Sequence, residues 1–110
     1  MIQPRLTTSN ARSALASAPG EFVEVFRHGT LTVEFYQPDG VDRQTPHTRD
    51  EVYVIVSGSG FFVHEGERQP IEPGEVLFVP AGDDHRFVDF SDDFATWVFF
   101  YGPEGGEGNE

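Results

Sequence analysis

Gly74–Asp89 reads GEVLFVPAGDDHRFVD, and its punctuation decides more of the fold than any other stretch. Glu75–Val79 is a short run rich in β-branched and aromatic residues, set between Pro73-Gly74 and Pro80-Ala81-Gly82. That composition describes a strand delivered into a tight turn. Three residues past Gly82 stands His85, opening a second strand whose Phe87 and Val88 lead on to Phe90. A histidine at the first position of a strand, just beyond a turn stiffened by Pro and Gly, has little freedom to swing. Such a ring suits metal coordination or acid–base work.

Working upstream, the same grammar repeats. Phe22–Phe26 and Leu31–Tyr36 alternate with period two around the turn Arg27–Thr30, a β-hairpin with His28 as a solvated turn residue. Gln37–Pro46 (QPDGVDRQTP) is a polar loop running into His47-Thr48-Arg49-Asp50-Glu51. Val52–Val56 is a strand, Ser57–Gly60 a Gly-rich turn and Phe61–His64 the returning strand, with His64 at the far, surface end of its hairpin. Glu65-Gly66-Glu67 turns again toward Arg68–Ile71. Downstream, Phe94–Tyr101 (FATWVFFY) is almost continuously apolar and predicts a strand that is central or buried on both sides. About eight short strands with Gly/Pro turns every eight to twelve residues predict an all-β antiparallel sandwich or barrel.

The ends differ from this middle. Residues 1–20 read as a short helix or irregular arm, since Thr7–Asn10 offers N-caps and Pro19-Gly20 closes a small-residue segment. Residues 21–101 form the β domain, and residues 102–110 (GPEGGEGNE) are expected to be a disordered acidic tail. At 110 residues there is one domain. With seven Arg, no Lys and nineteen acidic residues, the net charge of −12 argues against nucleic acid as a partner. The missing lysines also exclude Schiff-base chemistry and P-loop phosphate binding. There is no cysteine, no apolar stretch near the ~20 residues of a membrane span, and no apolar signal core. A cytoplasmic protein without a membrane partner is the expectation.

Chemistry concentrates in three residues. With period two, His47, Arg49 and Glu51 point to one side of the segment entering the Val52 strand. His85 comes from a different hairpin. Two imidazoles and one carboxylate converging inside a small barrel would make a two-histidine, one-carboxylate set with open positions. Such a set favours Fe(II) and also suits Mn, Ni or Zn. Arg49 could hold a carboxylate substrate beside the metal, whereas Arg86 alternates away from His85. Tyr53, Phe62, Phe87 and Trp97 read as barrel lining, and a ligand pocket would share them.

The spacing G-x5-P-x-G-x2-H-x3-D in Gly74–Asp89 resembles the second conserved motif of the cupin superfamily, which ends in Asn where this chain has Asp89. The first cupin motif, G-x5-H-x-H-x3,4-E-x6-G, is matched by Glu51 and Gly58 at the E-x6-G spacing and by His47 as its second histidine. Thr45 then stands in place of the first histidine; on the alternative register, Arg49 takes the second histidine's place. The resemblance spans roughly Gly40–Asp89. It implies a double-stranded β-helix, the cupin jelly-roll barrel, and carries metal binding onto His47, Glu51 and His85 alone.

Two functions fit these residues. One is a small metal-dependent enzyme acting on a small organic molecule, by oxygenase-like or isomerase/lyase-like chemistry. The other is a non-enzymatic module that holds a small ligand, with or without metal. A homodimer is also expected, because Val23, Val25, Leu31 and Val33 form an apolar row that the arm has too little apolar content to cover.

Overall fold

A computed structural model describes residues 5–108; the outermost parts of the expected arm and tail, residues 1–4 and 109–110, lie outside them. One helix, α1 (Thr8–Ala16), precedes eight strands: β1 (Phe22–His28), β2 (Leu31–Tyr36), β3 (Asp50–Ser57), β4 (Gly60–His64), β5 (Glu67–Ile71), β6 (Val76–Val79), β7 (His85–Val88) and β8 (Ala95–Tyr101). The strands form a five-stranded sheet in the order β1-β2-β8-β3-β6 and a three-stranded sheet in the order β5-β4-β7. All pairings are antiparallel. The sheets face one another over a shared core without a continuous hydrogen-bonded wall, giving the antiparallel β architecture that the strand count predicts and the jelly roll that the resemblance implies.

Alternation explains the core. On β3 the buried Glu51, Tyr53 and Ile55 point inward, and on β8 so do Thr96 and Val98. They meet Phe62, Ile71 and Phe87 from the smaller sheet. Strand β8 is central, as its continuous apolar run predicts, with β2 on one side and β3 on the other. Its other face carries Ala95 and Trp97, which pack with Phe35 beneath α1.

That outer face departs from expectation. Ala11 and Leu15 of α1 join a second cluster with Phe35, Val23, Val25, Val56 and Trp97. The helix therefore covers part of the apolar row assigned above to a subunit interface. It starts properly: the Thr7 hydroxyl accepts from the Asn10 amide and caps the first turn. Few large side chains are needed, because Ala11 lets the helix approach closely enough to be itself buried.

The glycine of the E-x6-G spacing has a steric reason. Gly58 has φ +85°, and a Cβ there would lie 2.6 Å from the Phe94 Cα. No other residue fits both demands. Asp89 also sits at positive φ, 49°, in the left-handed region that Asp and Asn enter more readily than other side chains.

Residues 102–107, expected to hang free, are instead tied to the strand entering the core. The Gly105 amide donates to the Thr48 carbonyl and the Glu107 amide to Asp50 Oδ2 at 2.8 Å. Asp50 Oδ1 accepts from the Ala81 amide, so one buried carboxylate joins the tail to the turn before His85. Backbone groups make these links, and composition carries no trace of them.

Candidate metal centre

Three loops and strand starts deliver the site. His85 opens β7, Glu51 lies near the start of β3, and His47 lies on the loop just before it. Donor atoms of these three residues all lie within 4.8 Å of one another. His85 Nε2 is 3.1 Å from Glu51 Oε1, and His47 Nε2 is 3.8 Å from Glu51 Oε2. Donors held ~2.1 Å from one ion are ~3 Å apart when adjacent and ~4.2 Å when opposite. Both imidazole–carboxylate spacings fall within that range.

Burial sharpens the point. Glu51 is 1% exposed and His85 2%. Among the described residues, Glu51 Oε1, Glu51 Oε2 and His85 Nε2 are the buried side-chain polar atoms without a hydrogen-bond partner. The 3.1 Å approach of ring to carboxylate is an ion-pair distance but lacks hydrogen-bond geometry, so a neutral His85 leaves the carboxylate unsatisfied. Buried polar atoms left unpartnered are expensive, by roughly 1–3 kcal/mol each. A divalent cation among them would satisfy all three, and two imidazole nitrogens with a carboxylate are a donor set that such ions accept.

The imidazoles are prepared for that role. The Asp83 carbonyl lies 2.9 Å from His85 Nδ1, which places the ring proton there and leaves the Nε2 lone pair facing Glu51. Burial opposes protonation of His85, but Glu51 and the Asp83 carbonyl outweigh it and raise its pKa. Burial dominates at His47 and lowers its pKa despite Glu51. Glu51 pulls both rings the same way, upward; the net directions differ because burial wins at His47 and the Glu51 and Asp83 contacts win at His85.

The expected lining is only partly realised. Tyr53, Phe62 and Phe87 are buried and form the wall behind His85, with the Tyr53 and Phe62 rings 6.1 and 6.3 Å from the imidazole. Trp97 is not part of it. Its neighbours Thr96 and Val98 face inward, so strand alternation turns the indole outward onto Phe35. The Arg49 guanidinium reaches the Thr30 carbonyl at the β1–β2 turn and lies 6.0 Å over the Phe100 ring. It braces the rim instead of projecting into the site. His64 pairs with Asp83 Oδ2 at 2.7 Å, outside the ligand cluster.

Beside His47 opens a cavity of about 620 Å³, walled by Phe22, Tyr36, Val98 and Phe100 and edged by Glu34, Arg43 and Gln44. Glu34 is its most unusual group: burial, then Glu24 and Glu51, push its carboxyl up to about 7.

Two residues of the polar loop contribute what the sequence pattern did not indicate. Asp42 is 7% exposed and accepts four hydrogen bonds, from Tyr36 Oη, the Phe87 amide, the Gln44 amide and Gln44 Nε2. Gln44 Oε1 in turn lies 3.2 Å from His47 Nε2 and accepts from the Tyr53 hydroxyl at 2.9 Å. The only signal in the chain was their place in a Pro/Gly loop just before His47, a position that ordinarily marks nothing more than a turn.

Comparison with known proteins agrees with this architecture. A family model described as cupin domain matches residues 32–101. An uncharacterized protein of Streptomyces coelicolor is 35% identical over 91 residues, covering 81% of this chain and 87% of that one. An acireductone dioxygenase of Geobacillus thermodenitrificans is 38% identical over 48 residues, 38% of this chain and only 27% of the enzyme. Among solved structures, a cupin 2 conserved barrel domain protein from Salinispora arenicola superposes with a TM-score of 0.62 at 19% identity, covering 74% of each chain. With the matched model spanning both sheets and all three clustered residues, the chain belongs to the cupin domain family.

Proposed function

We propose that this chain is a metal-dependent enzyme in which His47, Glu51 and His85 hold one divalent ion, of Fe, Mn, Ni or Zn, beside a cavity for a small organic substrate. The observation that carries this reading is the trio of buried, unpartnered polar atoms on Glu51 and His85, within reach of His47. Bound there, a divalent ion supplies Lewis acidity and open positions for substrate or dioxygen. The protein does the rest. The Asp83 carbonyl fixes the His85 tautomer, and Tyr53, Phe62 and Phe87 keep water from its inner side. The apolar walls Phe22, Val98 and Phe100 seat the carbon skeleton of a ligand. Glu34, with its carboxyl near 7, can hold or release a proton at its side-chain oxygen on the cavity's edge.

Of the reaction classes open to such a site, dioxygen-dependent turnover has the support of the local similarity to acireductone dioxygenase. Isomerase- or lyase-like chemistry stays behind it. A module that binds a small molecule without turnover is the second reading, favoured by the predominantly apolar walls of the cavity. Elemental analysis of protein purified without chelator separates them. A redox-active metal near one equivalent supports the enzyme; no bound metal leaves the binding module.

We further propose a cytoplasmic homodimer. The absence of cysteine supports the compartment, and no helix among the described residues is long and apolar enough to cross a membrane. Since α1 covers Val23 and Val25 of the β1–β2 row, further support for assembly comes from edge strand β6, where Val76 is 65% and Phe78 51% exposed. Light scattering at micromolar concentration should return about twice the 12.3 kDa chain mass. A clean monomer would overturn it.

A further inference from the structure

We propose that Gln44 is a fourth protein ligand of the metal centre, its amide oxygen standing where the chain has no third imidazole. The inference rests on the metal-binding reading above and adds a residue to it. Gln44 Oε1 lies 3.2 Å from His47 Nε2, a closer approach than Glu51 makes to the same nitrogen at 3.8 Å. That is the separation of adjacent donors on a single ion, ~3 Å for ligands at ~2.1 Å.

The orientation of the amide is fixed by its surroundings. Gln44 Nε2 donates to Asp42 Oδ2 at 3.0 Å, and the Tyr53 hydroxyl donates to Oε1 at 2.9 Å. Reversing the amide would set Nε2 against a hydroxyl donor and Oε1 against a carboxylate, so the atom that faces His47 Nε2 is the carbonyl oxygen. Asp42 cannot move to follow it. Tyr36, the Phe87 amide and the Gln44 amide hold the same carboxylate, and Phe87 belongs to the strand that His85 opens. One buried network thus ties the Gln44 side chain to the backbone that places His85.

Oε1 has two lone pairs and one is taken by Tyr53. Without metal, the other accepts from His47 Nε2; with metal, His47 Nε2 gives its lone pair to the ion and the second Oε1 lone pair is free to do the same. The centre then has two nitrogen and two oxygen donors. An amide oxygen is harder than imidazole, so the set leans toward Mn(II) and Fe(II) relative to a three-imidazole site.

Co(II) binding by titration calorimetry, with the d–d absorption spectrum, tests this in the full chain and in Gln44→Leu, Gln44→His and His85→Ala. Gln44→Leu should bind about 10–100-fold more weakly and shift the absorption bands. Gln44→His should restore the affinity with a third, distinct spectrum. If His85→Ala loses Co(II) while Gln44→Leu keeps the wild-type affinity and spectrum, the metal centre stands and Gln44 is not a ligand. Weaker binding with an unchanged spectrum means that Gln44 only steadies His47, which also overturns the proposal. Should Gln44→Leu not fold, a Gln44→His spectrum identical to wild type is the overturning result. Wild-type protein that binds no Co(II) removes both the centre and this ligand.

Discussion

Phe94 and Glu51 are equally hidden, 0% and 1% exposed, yet they occupy opposite ends of the interior built on opposite rules. Around Phe94 the core is aromatic and closed, with the Phe87 and Phe90 rings 4.7 and 5.3 Å away. Around Glu51 the burial is as complete, but the two carboxylate oxygens and the facing His85 nitrogen have no hydrogen-bond partners. Packing of ring on ring holds the first end together without any bound group. The second end costs free energy to fold, and a cation bound there would satisfy it. The contrast teaches that burial by itself says little about stability; what the buried atoms touch decides it.

The contrast can be broken at its apolar end. Phe94→Ala should destabilise the protein by about 3–5 kcal/mol in denaturant unfolding, through lost transfer free energy and the cavity left behind. Its metal affinity, measured where it remains folded, should stay within a few-fold of wild type. A large loss of affinity would mean that the two ends are not separable.

At the polar end the sign should reverse. Glu51→Met replaces an unsatisfied buried carboxylate by an apolar chain of similar size. It should stabilise the metal-free protein by about 1–3 kcal/mol and abolish metal binding. Destabilisation of the metal-free form would show that Glu51 already has a partner there.

Glu34 sharpens the comparison at the cavity's edge, where burial is partial. Its carboxyl is pushed from 4.5 up to about 7 on folding, first by burial. Below pH 4.5 it is protonated in both states and adds no pH dependence. Between 4.5 and about 7 the folded state binds more protons than the unfolded, so stability falls as pH rises. The penalty is complete above the folded value. Glu34→Gln should therefore leave metal-free stability unchanged at pH 4 and raise it at pH 8 by about 1 kcal/mol, once solvent screening is allowed for. Parallel pH profiles for the two proteins would contradict this.

The smallest effect is on the surface. Arg68 pairs with exposed Asp89 at 2.7 Å and lies 4.1 Å over the Phe61 ring. Arg68→Ala should cost no more than about 1 kcal/mol and leave metal binding untouched.

These regions were not equally legible in the sequence. Period-two strands and Gly/Pro turns revealed the sheets, because backbone demands at Gly58 and in the turn before His85 restrict residue choice. His85 stood out for the same reason: a stiff turn precedes it. Glu51 and His47 followed from spacing. Trp97 was misplaced because a continuously apolar strand such as β8 hides which parity faces in. Gln44 and Asp42 were missed because a loop side chain turned inward and hydrogen-bonded has the same polar composition as one facing solvent. The cover given by α1 was underestimated, since close approach through Ala11 does not depend on side-chain size.

The most direct test of the central claim is the melting temperature of the purified protein with and without chelator, compared with His85→Ala. An ion bound only by the folded state stabilises it by mass action, by ~2.7 kcal/mol at one hundred times Kd. For a domain of this size that corresponds to a shift on the order of 10 °C. Wild-type protein should lose that increment on chelation and regain it when divalent metal is restored, while His85→Ala should melt at one temperature throughout. A wild-type melting temperature indifferent to both treatments, or an equal response in His85→Ala, would contradict a metal centre built on His47, Glu51 and His85.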